Sequence, residues 1–196
     1  MSGVRRASVS RFFPILSGIA LVLCLFSGSS AAASVPKATL VSHFVPSGVR
    51  ANLTSTADCW VTSLAAPRKD AWRCAVESII YDPCFSSANY PNAVICDANP
   101  ARYTRGLKAT LAGKLPVTTA AEASAQPWVL QLPNNVYCTF ATGATWIVNN
   151  ERVDYGCTDN TVIAGLPKQG TIWTANVVPQ GQMTRTVVTT VVHAWY

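Results

Sequence analysis

The sequence predicts an α+β fold that is mainly β: an antiparallel sheet (meander, sandwich or small barrel) in the C-terminal half, with one disulfide-tied helix at about 67–80. Three observations predict it. From Trp128 onward, short runs rich in Val, Ile, Thr and aromatic residues alternate with turn residues. Between Pro67 and Ile80 the apolar residues return at helical spacing. Six cysteines stand beyond an apolar N-terminal segment, as in a small exported fold held by disulfides.

The N-terminus sets the compartment. Arg5, Arg6 and Arg11 precede the apolar run "FFPILSGIALVLCLF", and "SGSSAAAS" follows. A positive start, a short apolar middle and small residues are the parts of a secretory signal peptide. The run has 15 residues, against the roughly 20 needed to cross the hydrocarbon core. Ala31 and Ala33 fit an A-x-A cleavage pattern. The expected organisation is a signal peptide at 1–33, a partly disordered N-terminal extension at 34–54, and one disulfide-stabilised domain at 55–196. The expected location is outside the cell or on the cell wall, with no stable membrane anchor after cleavage.

Three of the 15 basic residues lie in that leader, leaving 12 Lys and Arg against 9 Asp and Glu. This surplus is too small and scattered for a nucleic-acid footprint, which needs basic residues clustered on one face. Arg102, Arg105 and Lys108 come nearest to a cluster and read as a solvated edge, with adhesion to an acidic cell wall as the alternative.

The six mature cysteines are Cys59, Cys74, Cys84, Cys96, Cys138 and Cys157. In an oxidising compartment an even set reads as three disulfides. Pairing neighbours (Cys59 with Cys74, Cys84 with Cys96, Cys138 with Cys157) closes short loops, each stabilising by about 3 kcal/mol in the chain-entropy model. Cys59 with Cys96 and Cys74 with Cys84 remains open, as do pairings between the two halves. The cysteine separations do not fit the C-x2–4-C spacing of structural zinc sites, and His43 and His193 are the only histidines. No metal, no cofactor and no catalytic thiol is therefore expected.

Ala71, Trp72, Ala75, Val76, Ile79 and Ile80 form the stripe behind the helix at 67–80. Pro67 suits its first turn, Arg73 and Glu77 are four apart on the polar side, and Pro83 ends it. Residues 85–106 are dense in Ser, Asn, Asp and Pro and read as turns and loops. A strand is expected to start within 107–117, and 118–127 is a polar connector. The later strands are "WVLQL" (128–132), "VYCTFA" (136–141), "TWIV" (145–148), "RVDYGC" (152–157), "TIWTANVV" (171–178) and "RTVVTTVVHAWY" (185–196). Asn149-Asn150 suits a tight hairpin because Asn tolerates positive φ. Val on both faces of the last strand predicts a central position.

Of the six tryptophans, Trp72 and Trp173 fit core positions. Trp146 and Tyr137, near the hairpin, are the candidate binding residues, as an exposed platform for a glycan or a protein partner. His193 reads as a core or rim histidine, with no nucleophile in view.

Across "DAWRCAVESIIYDPCF…VICDANP", "PWVLQLPNNVYCTFATGAT", "VDYGC", "IWTANV" and "VVHAWY", the chain resembles a set of secreted, cysteine-containing bacterial proteins of actinomycete and mycobacterial type that carries no known activity. The W-R-C, Y-D-P-C-F and Y-G-C elements are its most specific parts. The resemblance implies export and a shared cysteine framework, and it transfers no functional residue.

The chain holds no recognisable nucleophile–base motif, phosphate loop or metal spacing. The leading expectation is a monomeric binding or structural module of the bacterial cell envelope or extracellular space, more a non-enzyme than an enzyme, whose partner is a protein or a cell-wall glycan. A small secreted hydrolase of cell wall, polysaccharide or RNA is the alternative. It would draw on Glu77, Asp82, Asp97, Glu151, Asp154, Asp159 and His193. A hydrolase inhibitor presenting a cysteine-bracketed loop at 85–95 is the third.

Overall fold

The computed structural model describes residues 37–117, 126–182 and 184–196. The expected signal peptide and most of the 118–127 connector lie outside these. The described chain forms fifteen strands in two sheets, and it is mainly β with no α-helix. It opens with β1 (Leu40–Ser42) and then passes to an N-terminal sheet. That sheet comprises β2 (Gly48–Asn52), β3 (Ala57–Thr62), β4 (Ala71–Val76), β5 (Ile79–Ser86), β6 (Ala93–Cys96) and β7 (Arg105–Thr110). Strands β3 to β7 form an antiparallel meander, and β2 adds to β7 in parallel. Ala57 of β3 bridges to Leu111 just beyond β7, so the sheet curls toward closure. The segment 34–54, read as an extension, thus contributes both β1 and β2.

The helix expected at 67–80 is not there. Its residues form β4, a two-residue turn at Glu77 and Ser78, and the start of β5. The apolar positions at i, i+1, i+4 and i+5 serve a strand here, because Trp72, Cys74 and Val76 point to one face and Arg73 and Ala75 to the other. Cys74 lies directly opposite Cys59, and a helix could not hold that register. The expected Arg73–Glu77 pair dissolves with the helix: Arg73 turns to Asp82 and Glu77 accepts from Ser55. The "loop" at 85–106 likewise contains the fully buried strand β6.

All three disulfides link neighbours in the sequence: Cys59–Cys74, Cys84–Cys96 and Cys138–Cys157. Each joins residues directly opposite one another on adjacent antiparallel strands, with Cα atoms 4.0, 4.1 and 3.9 Å apart. Each therefore also pins a strand register, which a one-residue slip would otherwise invert.

Side-chain alternation sorts the N-terminal sheet into two cores. Trp72, Cys74, Val76, Cys84, Val94, Cys96 and Ala109 fill the concave side, so two disulfides stand in for larger apolar residues. Ala71, Phe85 and Ile95 face the other way, against Trp128 and Val129, and form the layer between the sheets. Phe44, Phe85 and Trp128 meet there at centroid distances of 5.3–5.7 Å, edge-on or tilted, an arrangement aromatic quadrupoles favour.

The C-terminal sheet holds β8 (Val129–Leu132), β9 (Val136–Phe140), β10 (Ile147–Val148), β11 (Glu151–Cys157), β12 (Val162–Lys168), β13 (Trp173–Val178), β14 (Val187–Val191) and β15 (His193–Trp195). Strand β14 pairs with β13, and β15, one residue later, pairs with β8. The path β8-β9-β11-β12-β13-β14/β15 thereby returns to β8 and curls into a small closed sheet. Leu130, Leu132, Cys138, Tyr155, Ile163, Trp173 and Val191 fill its interior. The Asn149-Asn150 hairpin has positive φ at both residues, 49° and 66°, as a tight turn between twisted strands requires. Strand β12 carried no sequence signal, since Gly165 and Pro167 interrupt its apolar run. The last strand is not covered on both faces, because Val187 and Val188 are exposed.

Candidate functional site

A cleft of about 490 Å³ opens where the two sheets meet. Parallel pairing of β1 with β15 sets Leu40 opposite His193. Leu40, Ser42 and Phe44 share one side of this segment, while Val41, His43 and Val45 line the cleft from the other. Tyr196 follows β15, Gln169 follows β12, and Gln126 precedes β8. The remaining wall is the β3–β4 loop, with Pro67, Arg68 and Asp70.

Asp82 holds the first half of that loop. Its carboxylate accepts from the Ser63 hydroxyl at 2.5 Å and from the Leu64 and Ala65 amides at 3.3 and 3.4 Å, with the Arg73 guanidinium at 3.6 Å. Burial pushes the Asp82 carboxyl above its ordinary range, and these partners pull the other way. Ser63 Oγ also accepts from the Ala66 amide at 2.8 Å, which closes the turn.

Arg68 holds the second half, and it is buried. Nε and Nη2 donate to the two Asp70 oxygens at 2.6 and 2.7 Å, the bidentate fork that matches a carboxylate. Nη1 donates to the Tyr196 carbonyl oxygen at 2.7 Å, and the guanidinium lies 4.9 Å from the Phe85 ring centroid. The cation is therefore consumed internally, tying the N-terminal sheet's loop to the C-terminal sheet's last strand. Asp70, Gln126 and Gln169 add polar side chains to the cleft wall. Gln126 donates its amide to the Leu64 carbonyl and Gln169 donates to the Tyr196 hydroxyl. Burial raises the Tyr196 phenol above its usual range, so it stays protonated and can donate. Exposed His43 sits 6.0 Å from the Tyr196 ring.

The structure separates Trp146 from Tyr137. Trp146 is 46% exposed beside β10 and hydrogen-bonded to Val153, whereas Tyr137 is half-buried between the sheets, 6.2 Å from Trp195, and pairs with Thr158. Four residues of β11 (154–157) stand between their partners Val153 and Thr158, a rise of roughly 16 Å. The six cysteines are all spent in disulfides. Of the acids, Asp154 pairs with Arg152, Asp97 with Arg50, Asp159 binds its own turn at Thr161, and Glu151 accepts from Asn176. Asp82 and Asp97 also line one smaller pocket of about 210 Å³, with Asn99 and Trp128. The 85–95 loop is tied down, since Tyr90 turns back on Ser87 and packs against the inter-sheet core.

Sequence reasoning missed a partner for His193. The Ser42 hydroxyl and His193 Nε2 share a 2.5 Å hydrogen bond, and Trp195 stacks on the imidazole at 3.7 Å. Ser42 lies in what reads as an extension, so nothing local announces the pair. Among the described residues no carboxylate bonds the other ring nitrogen, and no group of three potential metal ligands forms. Nor is any described helix long and apolar enough to cross a membrane. No protein-family model, curated protein or solved structure matches this chain.

Proposed function

We propose that the chain is a secreted, disulfide-stapled binding module of the bacterial cell envelope or extracellular space, acting as a monomer, and that a hydroxyl-rich glycan enters the cleft between its sheets. The observation that carries this reading is the Arg68–Asp70–Tyr196 lock. It makes the cleft a preformed site, and preformed sites avoid the cost of ordering on binding. The cleft also sets polar Asp70, Gln126 and Gln169 beside apolar Val41, Val45 and Pro67, a complement to sugar hydroxyls and C–H faces. Export is supported by the basic-apolar leader and by three disulfides, which point to an oxidising compartment. The W-R-C, Y-D-P-C-F and Y-G-C resemblance supports a bacterial envelope source. The test is retention of the mature, oxidised protein on insoluble envelope polysaccharide, with soluble neutral fragments as competitors. Retention that His43→Ala and Tyr196→Phe each weaken supports the reading; absent or unchanged retention rejects it.

One observation favours a second reading, a glycan hydrolase. Asp82 and Asp97 share a pocket in contrasting settings, one carboxyl raised by burial and the other ion-paired to Arg50. Two carboxyls lining one pocket are the groups that acid-assisted glycoside hydrolysis requires. Release of reducing ends from envelope polysaccharide, abolished by Asp97→Asn, would favour it over simple binding.

A further inference from the structure

The sequence spreads its cations thinly, but the fold does not. Parallel addition of β2 to β7 brings Arg50 to the turn that joins β6 and β7, where Arg102, Tyr103 and Arg105 stand. That turn is rigid: Asn99 and Tyr103 exchange both backbone hydrogen bonds at 2.8 and 2.9 Å, the Arg102 amide donates back to Asn99, and the Asn99 side chain accepts from Ala101 at 2.7 Å. Tyr103 is 55% exposed and carries the Arg50 guanidinium over its ring, 4.7 Å from the centroid. Arg105 is anchored by donating to the Val49 carbonyl. Lys108, three residues along β7 and so on the opposite face from Arg105, lies 5.0 Å from the Tyr90 centroid.

Arg68, Arg73 and Arg152 each have an aspartate partner. On the β2–β7 edge, Asp97 partners Arg50 alone, and among the described residues no carboxylate lies within ion-pair distance of Arg102, Arg105 or Lys108. Arg102 and Arg105 therefore stand together without an ion-pair partner on one pre-organised turn, next to an exposed aromatic ring.

From this arrangement we infer that the β6–β7 turn and the adjoining β2–β7 end form a second binding surface, for an anionic envelope polysaccharide whose phosphodiester or carboxylate groups pair with Arg102 and Arg105 while a sugar ring covers Tyr103. Arg suits this work because its fork holds either oxyanion bidentately. A glycan fits better than a nucleic acid because three disulfides place the chain in an oxidising compartment. This edge shares no lining residue with the cleft, and the inference stands without the cleft reading.

The test uses the mature, oxidised protein and four immobilised probes: a poly(glycerol phosphate), a polygalacturonate, uncharged dextran and single-stranded DNA. The expected result is binding to one or both acidic glycans and none to dextran. That binding should weaken about tenfold between roughly 50 and 300 mM salt, as screening shortens. The phosphate and uronate arms then distinguish which anion the surface takes. Arg102→Gln with Arg105→Gln should lower affinity about tenfold with an unchanged unfolding curve. Tyr196→Phe, in the cleft, should leave this binding intact. No acidic-glycan binding, binding indifferent to these variants, or DNA bound as tightly as the glycans would overturn the inference.

Discussion

The Thr39 hydroxyl donates to the Val191 carbonyl at 2.7 Å, across 152 residues of chain. The same oxygen accepts from the Trp173 amide at 2.7 Å, and the Thr39 amide donates to Thr171 at 2.9 Å. Trp173 and Val191 are the last paired residues of β13 and β14 before the strands part, and Thr39 fills that gap. A buried polar group stripped of its partner costs about 1–3 kcal/mol. Thr39→Val should lower the unfolding free energy by that amount in urea titration, while Thr39→Ser retains most of it.

Gly106 is required by contact. A Cβ there would lie 2.4 Å from Ile95 Cγ2 and 2.5 Å from the Cys96 carbonyl oxygen. The Cys96 backbone is held by the Cys84 disulfide and cannot withdraw readily. Overpacking of this kind costs about 1–3 kcal/mol, so Gly106→Ala should shift the denaturant midpoint accordingly. The same variant should blunt the β2–β7 edge, because Gly106 follows Arg105.

Arg68→Lys keeps the charge and loses the fork. Lysine cannot bond both Asp70 oxygens and the Tyr196 carbonyl at once in this geometry. Hydrogen bonds to charged groups contribute about 1.5–3 kcal/mol, and a loss near that range is expected in chemical unfolding. Ligand retention by the cleft should fall as well, with no effect on polyanion binding.

His193 supplies a pH dependence. Burial lowers its proton affinity below the ordinary value of 6.5, so the unfolded chain binds the proton more tightly than the fold does. Stability from this site is fully present above that ordinary value and is lost as pH falls through the lower folded value. The unfolding midpoint, followed from about pH 8 to 5, should decline toward acid, and His193→Gln should flatten the decline. Ser42→Ala should cost about 0.5–1.5 kcal/mol for the lost hydrogen bond.

The parts of this fold legible in the sequence are those written locally. Cysteine count and spacing point to a stapled β protein, and Asn149-Asn150 marks its hairpin. The segment 67–80 misleads because its apolar residues satisfy a helix stripe and a strand's alternation together, and only Cys59, opposite Cys74, decides between them. Strand β1 is invisible since it exists through its pairing with β15. The cleft is hidden for the same reason, as Arg68 and Tyr196 stand 128 residues apart yet share a hydrogen bond. The basic edge needed Arg50 delivered to Tyr103 by a parallel strand.

Covalent footprinting of the oxidised mature protein, with and without a saturating neutral envelope glycan, tests the central claim most directly. Protection confined to His43, Pro67 and Tyr196, with Trp146 labelled equally in both samples, is the predicted pattern. Unchanged labelling at those three residues, with protection elsewhere on the molecule, would contradict it.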